Sequence, residues 1–387
     1  MKLKKLLLTS LFILFVGFAG CAQSGDIFPD LASELATPSA LFVDVANGRL
    51  YVVNSNAKVL YDWHQGSFQV YDITAPLVPA LLKSTLTSSF SGQVYVDTAL
   101  QEAFVPNRFS ESDADTEDAL FVFDINEASA KFLDFTSQVM GRDAYAISCC
   151  YPANRAWVTT SLGELQYFDL TNTTQTGSID LKTEFDIGGT LSHAEVNHIA
   201  LLNTQAFLSR EYGGVLVVNL DDAGVAGSVA VDYYIRDIPN PRGIAVRGTT
   251  LYVVGEGNEC NGEWCRFLMV LDVSALTPVT GNTTTQDLDK EDDGLLQTTI
   301  EVQESPQEVL LSTDYAFVTN QDSDTVSVID LATNALLTNI TVGEEPFSLA
   351  LYTTGAGVDQ YLYVGNVEAN TISIIDIPTL TVVATYP

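Results

Sequence analysis

The sequence predicts an all-β chain, a seven-bladed β-propeller of four-stranded antiparallel blades. Three observations carry that reading. A short motif, YVVN at Tyr51–Asn54, returns as FVPN (Phe104–Asn107), YVVG (Tyr252–Gly255), FVTN (Phe317–Asn320) and YVGN (Tyr363–Asn366), with looser copies WVTT (Trp157–Thr160) and FLSR (Phe207–Arg210). Each copy precedes a second apolar run that ends in Asp72, Asp124, Asp169, Asn219, Asp272, Asp330 or Asp376. No segment carries a helical period. Short runs rich in Val, Ile, Tyr and Phe are instead separated by polar turn residues, as in a β meander. Self-similarity at this spacing marks a repeat architecture.

The chain opens on a targeting segment. Lys2, Lys4 and Lys5 precede an apolar core from Leu6 to Phe18, which is shorter than the ~20 residues a membrane span needs. Phe18-Ala19-Gly20-Cys21 follows and resembles a bacterial lipobox, although Phe18 stands where Leu is usual. The resemblance implies cleavage after residue 20 and lipidation of Cys21; an ordinary secretory signal is the alternative. Ala22, rather than Asp, after the cysteine implies outer-membrane sorting. Which leaflet and which face is left open. Residues 21–37 read as a polar tether, and 38–387 as the propeller.

The blade plan is clearest at Pro306–Gly343. Strands are expected at Glu308–Ser312, Tyr315–Asn320, Thr325–Leu331 and Ala335–Val342. The other units lie at about 38–88, 91–137, 142–182, 196–236, 241–303 and 346–386, and Pro38, Pro241, Pro306 and Pro346 open their units alike. One such sheet cannot cover both of its apolar faces. Seven closed in a circle cover all of them. The first and last units each hold four strands, so closure is expected through face packing rather than a shared strand.

The motifs of units six and seven, FVTNQDSDTVSVID and YVGNVEANTISIID, together with the first unit, resemble the YVTN-type β-propeller repeat family. The resemblance implies a lactonase-like seven-bladed propeller and says little about activity, since that scaffold hosts binding platforms, surface proteins and some enzymes. The strand-terminal Asp residues are expected to bond turn backbone.

Propeller topology assigns loops to faces. Ser55–Gly66, Arg108–Asp118, Lys182–Glu195 and Glu256–Arg266 fall on one face, Ser274–Gly294 on the other. Aligned unit starts give an axial ring on the first face: Ser39, Gly92, Asp143, Asn197, Arg242, Gln307 and Phe347, followed by Gln93, His198 and Glu308. Asp143, Asn197, His198, Arg242, Gln307 and Glu308 are the candidate ligand-binding set, suited to an anionic or carbohydrate-like ligand; a water-filled polar channel is the alternative. Asp113, Asp115 and Glu117 alternate in one loop, and Asp289, Glu291 and Asp293 in another before Gly294. Alternating carboxylates suit calcium, the one candidate cofactor, but Glu291 and Ile300 spoil an EF-hand match. Solvated acidic loops are the preferred explanation.

Seventeen basic residues face forty-nine acidic ones, a net charge of −32. This field excludes nucleic acid as a partner and repels anionic headgroups, so membrane contact would come through lipid. Cys260 and Cys265 flank NGEW and are expected to form a disulfide; adjacent Cys149 and Cys150 could bond to each other or remain thiols. The three histidines, His64, His193 and His198, form no hydrolase or metalloprotease motif. Tyr61, Trp63 and Trp264 are available to a partner protein or a sugar ring. The sequence therefore points to a membrane-tethered binding or scaffold module of the cell envelope, partnered by envelope or surface proteins. The alternatives are a lactonase-like hydrolase using the axial ring and a calcium-stabilised surface protein.

Overall fold

The computed structural model describes residues 30–55, 65–87, 92–107, 119–140, 144–150, 154–160, 163–171, 174–181, 196–210, 213–221, 229–260, 263–282 and 284–387. The signal segment, Cys21, Asp143 and the acidic loop with Asp113, Asp115 and Glu117 lie outside these residues, as do Tyr61, Trp63, His64 and His193. Among the described residues no helix is long and apolar enough to cross a membrane.

Seven sheets follow one another along the chain. Blade 1 runs from its inner strand Pro38–Asp44 through Arg49–Asn54 and Ser67–Asp72 to the outer strand Ala80–Leu86. Blade 6 repeats the plan with Pro306–Leu311, Tyr315–Asn320, Thr325–Asp330 and Ala335–Thr341, close to the expected strands. The YVTN-like run is the second strand of each blade, and its residues are buried on both faces. Seven apolar clusters explain why. Each cluster lies between two successive blades, and the seventh joins Leu50, Val52 and Tyr71 of blade 1 to Tyr363, Ile372 and Ile374 of blade 7. Tyr51 and Val53 face blade 2 while Leu50 and Val52 face blade 7. Continuous apolar runs are what strands covered on both sides require.

The ring closes by face packing. Blades 1 and 7 keep their own four strands. Side chains stitch the seam: Tyr363 Oη donates to Pro76 O at 2.7 Å, Ser348 Oγ to Pro38 O at 3.0 Å, and Thr37 N to Asn370 Oδ1 at 2.7 Å.

Two expectations change. Residues 31–37 are not free tether. Leu35 and Ala36 are buried, and the carbonyls of Leu31 and Glu34 accept from Gln69 Nε2 at 3.2 and 2.8 Å. A leucine and an alanine at the end of a polar stretch dock it, together with these backbone bonds. The Ser274–Gly294 insertion is not all loop either. Its strand Gln286–Asp289 pairs in parallel with Ala230–Arg236 and gives blade 4 a fifth strand. A four-residue acidic segment has no strand propensity of its own. It is held by Arg236, which lies 3.5 Å from Asp287 and 3.2 Å from Asp289.

The repeated polar residues hold turns. In all seven blades the residue ending the third strand accepts a backbone N–H from the turn that follows: Asp72 from Thr74 at 2.8 Å, Asp124 from Asn126 at 2.9 Å, Asp169 from Thr171 at 2.8 Å, Asn219 from Asp221 at 3.0 Å, Asp272 from Ser274 at 2.8 Å, Asp330 from Thr333 at 2.8 Å and Asp376 from Thr379 at 3.2 Å. Backbone N–H bonds hold the carboxyls of Asp72 and Asp272 below the usual range, and the Thr333 hydroxyl and N–H do so at Asp330. The residues before the unit-opening prolines, Thr37, Asn240, Ser305 and Glu345, all have positive φ, between 39° and 56°. At three of these kinks the strained carbonyl is held by the N–H that follows the second strand: Ser55 N to Thr37 O, Gln321 N to Ser305 O and Val367 N to Glu345 O.

Candidate axial site

The inner strands place equivalent residues around the axis, and strand pairing sets the equivalence. Phe317 lies opposite Leu310, as Tyr51 opposite Phe42, Phe104 opposite Tyr95, Trp157 opposite Ser148, Phe207 opposite Ala200, Tyr252 opposite Ala245 and Tyr363 opposite Ala350. Counting back, the position of Gln307 is held by Ser39, Gly92, Tyr145, Asn197, Arg242 and Phe347 in the other blades. Blade 3 therefore contributes Tyr145 where the sequence alignment put Asp143. The weak WVTT motif and the adjacent cysteines had hidden a two-residue offset.

The next position reads Ala40, Gln93, Ala146, His198, Gly243, Glu308 and Ser348. Three long polar side chains alternate with small ones. At Gly243 a Cβ would come within 2.7 Å of Gln307 O and of Glu308 Cα, so only glycine admits the backbone of blade 6 there. Gln93 Oε1 accepts from Ile147 N at 3.0 Å, and Glu308 Oε2 accepts from Leu349 N at 2.9 Å. These are the same bond made in two places, since Ile147 and Leu349 occupy equivalent positions one blade on.

Ile147 fixes the Gln93 amide, so its NH₂ faces His198. Gln93 Nε2 and His198 Nε2 are in hydrogen-bond contact. Blades 2 and 4 are not neighbours, so the contact passes in front of Ala146 of blade 3. Nε2 of His198 must accept, and the ring proton therefore sits on Nδ1. Nδ1 is shut off from solvent and has no hydrogen-bond partner. Burial lowers the His198 pKa to about 4, and it holds that of Glu308 up at about 8 against the Leu349 N–H. Both side chains keep some open surface, but each is enclosed by protein, and enclosure sets the titration.

The rest of the predicted set is engaged. Arg242 Nη2 lies 3.3 Å from Glu256 Oε1, which removes the free cation an anionic ligand would want. Gln307 Nε2 donates to Gln321 Oε1 at 2.5 Å, Gln321 Nε2 passes the chain to Glu345 at 2.9 Å, and Asn197 Nδ2 donates to Pro241 O at 3.2 Å.

The described acidic loop is also spent. Asp289 Oδ1 accepts the N–H groups of Glu291 and Asp292 at 2.8 and 3.0 Å, which lowers its pKa, and Asp293 Oδ2 accepts Asp289 N at 2.8 Å. Glu291 lies 3.6 Å from Lys290. Among the described residues no group of three or more His, Cys, Asp or Glu could hold a metal. Cys149 and Cys150 are joined to each other, with Tyr95 Oη 3.0 Å from Cys150 Sγ. Cys260 and Cys265 sit on one hairpin, Gly257 opposite Cys265 and Cys260 opposite Glu263. Trp264, between them, is 55% exposed.

Sequence reasoning missed a polar groove of about 230 Å³ between blades 1 and 2, around Asn47, Arg49, Tyr51, Gln101, Asn126 and Glu127. Arg49 grips Glu127 with two nitrogens there and lies 3.6 Å from Asp72. It missed the Gln93–His198 contact too, because no sequence signal links blades two apart.

Glu308 supplies a pH test. Its folded pKa lies above the unfolded value, so the native state holds a proton that the unfolded chain has released between about pH 4.5 and about pH 8. Its contribution is complete below that window and is lost as pH rises through it, by at most about 1.4 kcal/mol per pH unit. Glu308→Gln, an isostere that keeps the Leu349 bond, is expected to flatten this decline. Urea titrations from pH 5 to about pH 9 check it. A parallel decline in the variant would refute it.

No protein-family model matches the chain, and no curated protein matches it. Among solved structures it is similar to Kuenenia stuttgartiensis hydrazine synthase, at TM-score 0.66 and 12% identity over 92% of this chain and 98% of that one. At that identity the likeness is one of fold. Blade count, strand order and this likeness agree: the chain is a seven-bladed β-propeller.

Proposed function

We propose that the protein is a binding module of the YVTN-repeat type, held at the bacterial cell envelope by lipid on Cys21. The observation that carries the binding role is the division of labour among polar residues. The repeated Asp and Asn residues that end the third strands are consumed in turns, while Gln93, His198 and Glu308 stand at one level of the axis with part of their surface open. Support for the anchor is the basic start, the apolar run 6–18 and Ala19-Gly20-Cys21. Sorting to the outer membrane and a Cys260–Cys265 bridge belong to the same reading. Cys21→Ser is expected to move the protein from the membrane to the soluble fraction, and affinity capture of the native protein from detergent-solubilised envelope is expected to recover a stoichiometric partner. Unchanged fractionation would refute the anchor, and a protein that always runs alone would refute the scaffold role.

One observation favours a hydrolytic second reading. A carboxyl titrating near neutrality, as Glu308 does, suits general acid–base work on a lactone or ester. Turnover of a lactone panel that disappears in Glu308→Gln would establish it; no turnover by the wild-type protein would remove it.

A further inference from the structure

We propose that the rim formed by the outer strands of blades 6, 7 and 1 is the surface with which the protein rests on a bilayer of zwitterionic lipid. The inference rests on the lipid anchor proposed above and adds to it the face that meets the membrane. Three observations carry it.

The first is a repeated feature of the outer strands. In each of these blades the ladder between the third and fourth strands skips one residue: Leu337 in blade 6, Val383 in blade 7 and Leu82 in blade 1. Such a bulge turns its extra side chain out of the regular alternation. The three positions are equivalent, and their side chains are 49%, 44% and 44% exposed. In blades 3, 4 and 5 the skipped residue is Thr176, Asp232 or Gln297, and blade 2 has no bulge in that ladder. The position is therefore apolar in three consecutive blades and polar in the others that have it. Leu336 of blade 6 and Leu77, Val78 and Leu86 of blade 1 extend the patch. Seven of the eleven exposed large apolar side chains among the described residues thus lie on this sector.

The second is the want of charge. Between Asp330 and Glu344, and beyond Asp376, the chain has no charged residue. Between Asp72 and Asp97 it has only Lys83, whose ammonium donates to Phe132 O of blade 2. Residues 273–302, the same stretch of blade 5, hold seven. In a chain of net charge −32, this uncharged apolar sector is the part of the rim that gains most by leaving water.

The third is where the chain enters the propeller. Ser84 Oγ, on the outer strand of blade 1, donates to Leu31 O at 2.5 Å, and Thr37 N bonds Asn370 of blade 7, so residues 31–37 run inward between these two blades. Leu86 lies on the same side of its strand as Ser84. Ten residues of chain link Leu31 to Cys21, at most about 35 Å when extended. A lipid on Cys21 therefore holds this part of the rim nearest the bilayer. The outer strands of blades 6, 7 and 1 have no strand beyond them. Their free edge groups need water or headgroups, so the contact is made at headgroup level and not within the hydrocarbon.

Fluorescence quenching of the full-length lipidated protein in phosphatidylcholine vesicles tests this. A fluorophore is attached to a cysteine introduced as Leu337→Cys, Val383→Cys or Leu82→Cys, and as Ser178→Cys or Gln297→Cys, exposed positions on the outer strands of blades 3 and 5. The quencher is phosphatidylcholine spin-labelled at its headgroup. Loss of fluorescence is expected at positions 337, 383 and 82 and not at 178 and 297. Where one of the first three variants fails to fold by circular dichroism, Leu336→Cys or Leu86→Cys takes its place. Equal loss at all five positions, loss confined to blades 3 and 5, or no loss anywhere while the protein still floats with the vesicles would each overturn the contact and leave the anchor standing. A protein that does not float with the vesicles has no anchor, and the rim contact falls with it.

Discussion

Replacing Tyr363 by Ala is expected to cost the fold about 3–5 kcal/mol, the range for emptying a buried aromatic site. Tyr363 is fully buried in the cluster that joins blade 7 to blade 1, against Tyr71, Leu50 and Val52. It also spans the seam, since its hydroxyl donates to Pro76 O. No strand crosses that seam. A lesion there leaves nothing but neighbouring side chains to keep the circle shut. Tyr363→Phe separates the two contributions: it keeps the packing and loses one hydrogen bond, about 1 kcal/mol. Guanidinium denaturation of the three proteins measures both. A loss below about 1 kcal/mol in the alanine variant would mean that the seam contributes little and that the ring is held elsewhere.

Asn320→Ala is expected to cost about 2–4 kcal/mol, two or three buried hydrogen bonds with their partners left stranded. Oδ1 accepts Gln303 N at 3.2 Å, and Nδ2 donates to Thr325 Oγ1 at 3.1 Å and Ser327 Oγ at 2.9 Å. One carboxamide thus ties the incoming linker to the second and third strands of its blade. Asn54 does the same with Ala36 N and Ser67 Oγ, and Asn366 bonds Thr371 and Ser373. Asn320→Asp keeps the acceptor and loses both donors, so it should fall between alanine and wild type at neutral pH. A thermal melt within a degree of wild type for Asn320→Ala would contradict this role of the motif.

These bonds explain how much of the fold could be read from residues alone. The YVxN copies and the seven strand-ending Asp or Asn residues mark the second and third strands because they do local work there, and local work leaves a repeated sequence trace. Even a departure from the motif has a cause. Blade 5 carries Gly255 where blades 1, 2, 6 and 7 carry Asn, since a Cβ there would lie 2.8 Å from the carbonyls of Pro239 and Asn240. The linker itself fills the space the carboxamide occupies elsewhere.

The misses share the opposite property. The parallel strand Gln286–Asp289 is stabilised by Arg236 of blade 4, some fifty residues earlier in the chain, and its own residues give no strand signal. The tail at Glu34–Thr37 docks through backbone groups bonded by Asn54, Gln69 and Asn370. At the axis, His198, Arg242, Asn197, Gln307 and Glu308 were legible as a ring from unit alignment. Their states were not. That Gln93 reaches His198 depends on a contact between blades, while the Arg242–Glu256 pair and the place of Tyr145 depend on strand register inside blades 5 and 3, which the residues alone do not encode.

The state of His198 bears most directly on the axial account. Nitrogen-detected NMR of the ¹⁵N-histidine-labelled protein reads it without any ligand. The geometry requires a neutral ring with its proton on Nδ1, unchanged from about pH 5 to about pH 9, because its pKa is lowered to about 4. A proton found on Nε2, or a ring that titrates near its ordinary value of about 6.5, would show that Gln93 does not hold it and that the axis has no committed donor.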